Sequence, residues 1–116
     1  MTHAFNKDEL MDRLDGDIEF LAETVEILDE DGPTLLAEVR AAATAREPER
    51  IASAAHAIKG MVSNFCAEPS INAAKCVEEM GRSGNLDGVD IAVTAIEEES
   101  ARLKTALNDL LTELRA

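Results

Sequence analysis

The sequence predicts an all-α protein, an antiparallel four-helix bundle with a short extra helix at its N-terminus. Of its 116 residues, 46% are hydrophobic and only 3% are aromatic, with neither Trp nor Tyr. A β-sandwich or barrel core draws on aromatic and β-branched side chains, so a core of Leu, Ile, Val and Ala favours helices. Apolar residues also recur at intervals of three and four along most of the chain, which is the helical period.

Length and charge narrow the class of protein. A chain of this length fits one domain, so we expect residues 1–116 to form a single domain with residues 1–6 as a flexible tail. The chain has 11 Lys and Arg against 24 Asp and Glu, and its net charge of −13 argues against nucleic acid or an anionic membrane as a partner. Residues 1–8 lack the layout of a signal peptide, and no apolar run could span a bilayer, which predicts a cytoplasmic protein.

Capping residues predict a short first helix. Asn6 is a good N-cap, and Glu9 follows three residues later, as in a capping box. This pair predicts a helix over residues 6–13. Gly16 and Asp17 then provide a break and a new helix start.

An apolar stripe predicts a long second helix. The stripe consists of Leu14, Ile18, Leu21, Val25, Leu28, Leu35, Val39 and Ala42. The dipeptide Gly32-Pro33 could end this helix or bend it. We expect one long bent helix, because the stripe resumes in register beyond Pro33.

Prolines and glycines predict the bounds of the remaining helices. Pro48 suits the first turn of a helix that runs to about residue 64 or 65. Pro69 marks the next start, with a helical segment over residues 70–81, and the glycines in residues 81–88 predict a loop. The last helix is predicted by a stripe of Val89, Ala92, Ile96, Leu103, Leu107, Leu110 and Leu114. Four such amphipathic helices with short turns bury their apolar faces best as an antiparallel bundle.

The helix that begins at Pro48 carries the most informative residues. On a helical wheel with Ile51 at zero, its apolar partners fall within about 40°; they are Ala55, Ile58, Val62 and Phe65. His56 lies near about 140°, Lys59 near about 80°, Ser63 near about 120° and Gly60 near about 180°. The wheel therefore predicts that His56 points away from the core, beside a lysine and one turn before a glycine.

This arrangement suits chemistry at phosphorus. A solvent-facing imidazole that is partly neutral near pH 7 is a usable nucleophile. Lys59 could neutralise the oxygens of a phosphoryl group on the ring, and Gly60 leaves the ring open to a partner protein. The alternative is that an exposed His, a Lys and a Gly share a helix face by chance, since such residues are common on surfaces.

The run His56-Ala57-Ile58-Lys59-Gly60, followed by Asn64-Phe65-Cys66-Ala67, resembles the H-x-x-K-G signature of histidine-containing phosphotransfer (HPt) domains. The similarity extends through Val77 to Arg82, which is similar to the acidic-then-arginine end of the family's next helix. The order of predicted helices is similar to that of the family over about residues 8–114. Only residues 54–67 are specific to the family.

The resemblance implies a four-helix bundle in which His56 accepts a phosphoryl group and passes it on. Lys59 would interact with the phosphoryl oxygens, and Gly60 and Ser63 would belong to the docking surface. The implied partners are response-regulator receiver domains and a sensor or hybrid histidine kinase. The protein would be a phosphocarrier without its own ATP site, would need no cofactor of its own because Mg²⁺ is expected on the receiver partner only, and would work as a monomer.

By position in the resemblance, Glu78 and Arg82 would lie near the imidazole. Glu78 stands where some members of the family have glutamine, so it either contacts the ring or is a solvated residue on the helix surface. Arg82 would add to a field that suits phosphate. Between residues 50 and 82 the formal charge is +1, whereas the remainder of the chain carries −14.

The two cysteines are too few for a disulfide framework and are expected to be small core residues. Cys66 stands where the family usually has glycine, which suggests that the helix ends differently or runs on. A metal site formed by His56, Cys66 and Cys76 is a remote option, because Cys66 lies about 80° from His56 on the wheel.

Two classes of function remain open. In the first, the chain is a phosphorelay carrier. In the second, it is a non-catalytic helical bundle that binds or inhibits a kinase or a receiver. A variant of the first is the phosphotransfer domain of a chemotaxis-type kinase.

Overall fold

The computed structural model describes residues 3–116, and within them the chain forms five helices and no strand. The helices are α1 (Lys7–Leu14), α2 (Ile18–Thr44), α3 (Pro48–Ser63), α4 (Glu68–Ser83) and α5 (Val89–Arg115). The predicted all-α class, with one short and four longer helices, is confirmed. None of the helices in this part of the chain is long and apolar enough to cross a membrane.

The four longer helices form a closed ring around one core. Helix α2 packs on α3, α3 on α4, and α4 on α5, and α5 packs on α2 to close the ring. The bundle measures 46 × 27 × 19 Å, and α1 lies against one end of α2. The core is built mainly from Leu, Ile, Val and Ala, as the composition predicts, with Phe65 as its largest buried side chain.

Side-chain caps fix the starts of the first two helices. The Asn6 side chain accepts a hydrogen bond from the Glu9 N–H at 3.0 Å, and the Asp17 side chain accepts one from the Phe20 N–H at 2.9 Å. Helix α2 then continues without interruption past Pro33, so the prediction of one long helix is confirmed.

The loop after α4 begins later than predicted. Gly81 lies inside the helix, which runs to Ser83 and ends at Gly84, whose φ of 77° is left-handed. The prediction of a loop from residue 81 is therefore wrong by three residues. A glycine is commonly a helix breaker, but Gly81 is buried and packs directly against the backbone of α3.

The N-terminal segment is held against the bundle. Residues 1–6 are predicted to be a flexible tail, of which residues 1 and 2 lie outside the described part of the chain. Ala4 is buried, and the Asn6 N–H donates to the Cys66 carbonyl at 3.0 Å. The structure thus buries residue 4 and ties residue 6 to the turn that follows α3.

That turn also contradicts the expectation for Cys66. Helix α3 ends at Ser63, and Cys66 itself adopts the left-handed conformation, with a φ of 53°. A side chain in this region is uncommon, because Cβ crowds the backbone. The chain nevertheless forms the left-handed turn that a glycine would adopt easily. The prediction that the helix runs on or ends differently at Cys66 is therefore wrong.

Candidate functional site

His56 lies on the solvent-facing side of α3. Its side chain is 64% exposed, whereas the opposite face of the helix is buried. That buried face consists of Ile51, Ala54, Ala55, Ile58 and Val62. The structure therefore agrees with the helical wheel: the imidazole belongs to the surface and not to the core.

The carboxylate of Glu78, on α4, is the centre of a charged cluster with His56. Oε2 of Glu78 lies 2.7 Å from Nδ1 of His56, and Oε1 accepts a hydrogen bond from Nζ of Lys59 at 2.6 Å. Nη2 of Arg82, one turn further along α4, lies 2.8 Å from Oε2. The Glu78 side chain is only 2% exposed. A buried carboxylate thus joins the imidazole to two cations.

The contact with Glu78 determines how the protons are placed on the imidazole. A carboxylate only accepts hydrogen bonds, so Nδ1 of His56 must be the donor at 2.7 Å. In a neutral imidazole the other ring nitrogen then has no proton and keeps its lone pair. The cluster therefore favours the tautomer in which Nε2 of His56 keeps a free lone pair.

The surroundings of Glu78 keep its carboxylate ionised. The hydrogen bond from Lys59 lowers the pKa of Glu78, and the hydrogen bond from His56 and the charge of Arg82 lower it further. Burial acts in the opposite direction, and the net effect is a pKa below the ordinary value. An ionised acceptor stabilises a positive charge on the ring more strongly than a neutral one.

Gly60 and Ser63 lie on the same side of α3 but have different surroundings. A Cβ added at Gly60 would meet no atom within 4 Å, so the space one turn after His56 is open. The Ser63 hydroxyl donates to the Lys59 carbonyl at 2.6 Å, so it is occupied by its own helix. Gly60 therefore contributes open access, while Ser63 presents a hydroxyl that is already engaged.

The alternative of a solvated Glu78 is wrong, since its side chain is almost fully buried. A signal for this burial was present in the sequence. The buried positions of α4 include Ala74, Val77, Glu78 and Gly81, which follow the three-four spacing of an inward face. An acidic residue on such a face requires partners, and the cations of α3 and α4 supply them.

The cysteines are not part of this cluster. Cys66 is buried as predicted, but Cys76 is exposed, so the expectation that both are core residues is wrong for Cys76. Burial raises the pKa of the Cys66 thiol. Across residues 3–116 no group of three or more His, Cys, Asp or Glu side chains could hold a metal ion, so His56, Cys66 and Cys76 do not form a metal site.

The fold and this cluster define a helical bundle that presents the exposed imidazole of His56 on its surface, held by a buried carboxylate. The family model described as Hpt domain matches residues 23–116, and the chain belongs to that family. Hpt domains are phosphocarrier modules of two-component systems. The match includes all of α3, α4 and α5 and leaves α1 outside. No curated protein and no solved structure is significantly similar to the chain.

Proposed function

We propose that this protein is a histidine phosphotransfer protein that accepts a phosphoryl group on His56 and relays it to a receiver domain. The observation that carries the proposal is the 2.7 Å contact between Nδ1 of His56 and the buried carboxylate of Glu78. This contact orients the exposed ring and leaves Nε2 as the reactive nitrogen. The donor of the phosphoryl group is a receiver-domain aspartate or a kinase.

The transfer step follows from that tautomer. The Nε2 lone pair attacks the phosphorus of a receiver aspartyl phosphate and forms an N–P bond. The P–O bond to the aspartate breaks at the same centre, and the aspartate leaves as a free carboxylate. No proton has to leave Nε2, and the positive charge that develops on the ring is stabilised by the Glu78 carboxylate through the Nδ1–H bond. The reverse sequence of bonds delivers the phosphoryl group to the next receiver.

Two cations are available to the phosphoryl oxygens. Lys59 and Arg82 are both bound to Glu78 next to the ring, and Arg82 is largely exposed. A phosphoryl group on His56 would add about two negative charges beside them. We expect both side chains to share their hydrogen bonds between Glu78 and the phosphoryl oxygens.

The proposed partners are response-regulator receiver domains and a sensor or hybrid histidine kinase. The open space at Gly60 supports docking of a partner surface next to His56, with Ser63 and Glu78 nearby on the same side. Mg²⁺ is expected on the receiver partner, whose aspartate carries the phosphate. In this proposal the protein works in the cytoplasm as a monomeric carrier that has no ATP site and no cofactor of its own.

The proposal is tested by phosphate transfer from a receiver loaded with acetyl phosphate. The wild-type chain should acquire label that is labile in acid and stable in base, as expected for phosphohistidine. His56→Ala should acquire none, and His3→Ala, at the other histidine of the sequence, should be labelled like the wild type. Equal labelling of His56→Ala would refute the proposal. Full biological activity of His56→Ala with unchanged receiver affinity would instead support a module that only binds or inhibits.

A further inference from the structure

Gly81 marks the closest approach between α3 and α4. A Cβ built on Gly81 would lie 2.6 Å from the Ala52 nitrogen and 2.7 Å from the Pro48 carbonyl oxygen. Both of these are backbone atoms of α3, so they cannot move aside as a flexible side chain can. The absence of a side chain at residue 81 is therefore what lets the two helices touch through their backbones.

This contact lies beside the charged cluster. Ala52 precedes His56 by one turn of α3, and Gly81 follows Glu78 by one turn of α4. The helix separation at the Gly81–Ala52 contact, one turn away, therefore influences the separation that the Glu78 side chain must bridge to reach the ring. We propose that Gly81 is a positioning residue for phosphotransfer, because its backbone contact with α3 holds Glu78 within hydrogen-bond distance of His56.

The distances indicate how sensitive the cluster is to this contact. Ordinary contact for a Cβ begins at 3.4 Å, and the Ala52 nitrogen would lie at 2.6 Å, so about 0.8 Å must open for alanine to fit. The same displacement would stretch the 2.7 Å contact between His56 and Glu78 to about 3.5 Å, beyond a good hydrogen bond.

The displacement would affect the partners of Glu78 unequally. His56 and Lys59 are on α3, so both would move away from the carboxylate. Arg82 is on α4 with Glu78 and would keep its contact at 2.8 Å. The expected result is a carboxylate that still pairs with Arg82 but no longer holds the imidazole in one tautomer.

The test combines ¹⁵N NMR of the His56 ring with phosphotransfer kinetics for the wild type and three variants. In Gly81→Ala we expect the ring to change from the Nδ1–H tautomer to a mixture, and the transfer rate to fall about 100-fold, as for a displacement near 1 Å. Receiver affinity should change little, because the exposed surface around Gly60 is retained. Val93→Ala, a core truncation on α5, controls for lost stability and should leave the ring signals unchanged.

Ala52→Val provides a second way to separate the helices if Gly81→Ala does not fold. It adds volume to the same contact from the α3 side and should shift the tautomer in the same direction. A folded Gly81→Ala that retains the wild-type tautomer and rate would overturn the inference, and so would an equal change in Val93→Ala.

The inference rests on the proposed function for its kinetic part, but the NMR measurement does not need phosphate. If the wild type accepts no phosphate and Gly81→Ala still alters the tautomer, then the proposed function fails while Gly81 retains its positioning role. If the wild type transfers phosphate and the tautomer is unaffected by Gly81→Ala, the inference alone fails.

Discussion

Glu78 on α4 and Glu97 on α5 both pair with a cation from a neighbouring helix, yet their surroundings differ sharply. The Glu78 side chain is 2% exposed and binds Lys59 of α3. Glu97 is 38% exposed, and its partner, Arg40 of α2, is 34% exposed. The α3–α4 pair therefore buries a carboxylate at its contact, whereas the α2–α5 pair places its carboxylate at the edge of the solvent.

The difference in exposure implies that the two ion pairs contribute differently to stability. A partly exposed ion pair keeps much of its hydration and contributes a modest amount to stability. A buried carboxylate loses its water, and at Glu78 the attraction of its partners outweighs that loss, because the net effect on its pKa is downward. Well-packed apolar residues often replace a buried ion pair without loss of stability, so stability alone does not require a carboxylate at residue 78. Its place beside His56 is explained by the chemistry of the ring under the proposed function.

The largest expected effect comes from removing the charge of Glu78 while retaining its shape. In Glu78→Gln an amide oxygen can still accept from Nδ1 of His56, but no negative charge stabilises the imidazolium that forms during transfer. We expect the transfer rate to fall about 100-fold. Glu97→Gln is the matched variant of the other helix pair and should transfer at the wild-type rate. A comparable loss in both variants would remove the distinction between the two pairs.

The pH dependence of stability should also be altered at Glu78. The pKa of the Glu78 carboxyl is lower in the folded state than in the unfolded state. As the pH falls, this carboxyl is therefore protonated in the unfolded chain at a higher pH than in the folded protein. The stabilisation is therefore complete above the unfolded pKa, about 4.3 for glutamate, and is lost as the pH falls through the lower folded value. In urea unfolding at a series of pH values below about 6, the free energy of unfolding should fall less steeply with decreasing pH for Glu78→Gln than for the wild type. Parallel curves would contradict the assigned contacts.

On the α2–α5 side we expect a change in stability without a change in function. Arg40 donates to both carboxylate oxygens of Glu97, at 3.2 and 2.6 Å, and to the Thr94 hydroxyl at 2.9 Å. Arg40→Ala should lower the free energy of unfolding by about 1 kcal/mol, the upper range for an exposed pair. Phosphotransfer should be unaffected when measured well below the melting temperature. Slower transfer by the folded variant would show that this pair also supports the site.

The smallest expected effect distinguishes two glycines of the α3–α4 pair. Gly60 has open space where a Cβ would stand, whereas Gly81 has backbone atoms there. Gly60→Ala should raise the free energy of unfolding by about 0.5–1 kcal/mol, because glycine is a poor residue inside a helix. Gly60→Met should keep most of this increase and weaken receiver binding, since its side chain fills the docking space. Destabilisation by Gly60→Ala in urea unfolding would contradict the open surroundings.

Most of the fold could be predicted from local signals. The apolar stripe continues in register across Pro33, and this register, rather than the helix-breaking tendency of proline, correctly predicts the length of α2. The exposed side of α3 follows in the same way from the helical period, so the position of His56 was predictable. These features depend on residues that are near one another in the sequence.

The features that could not be predicted depend on contacts between helices. A glycine cluster usually marks a loop and so predicts one from Gly81, and only the contact of Gly81 with Ala52 explains why the helix continues. The spacing of α4 places Glu78 on the inward face, but the partners that compensate its buried charge come from two helices and could not be identified from that spacing. Cys66 retains a left-handed turn although glycine would adopt it more easily, because packing around a buried residue can override a local preference.

Helix α1 and its N-cap Asn6 lie before the residues that match the family, yet they donate hydrogen bonds to carbonyls at and just after the C-terminus of α3, the helix that carries His56. Arg13 donates to the Ser63 carbonyl at 3.2 Å, and the Asn6 N–H donates to the Cys66 carbonyl at 3.0 Å. Carbonyls at the C-terminus of a helix otherwise lack partners within the helix. A fragment trimmed to residues 23–116 would therefore lose the Asn6 bond to the Cys66 carbonyl and leave the Ser63 carbonyl with only its 3.5 Å bond from the Cys66 N–H. The practical boundary of this domain is set by its hydrogen bonds and lies upstream of the one that family similarity suggests.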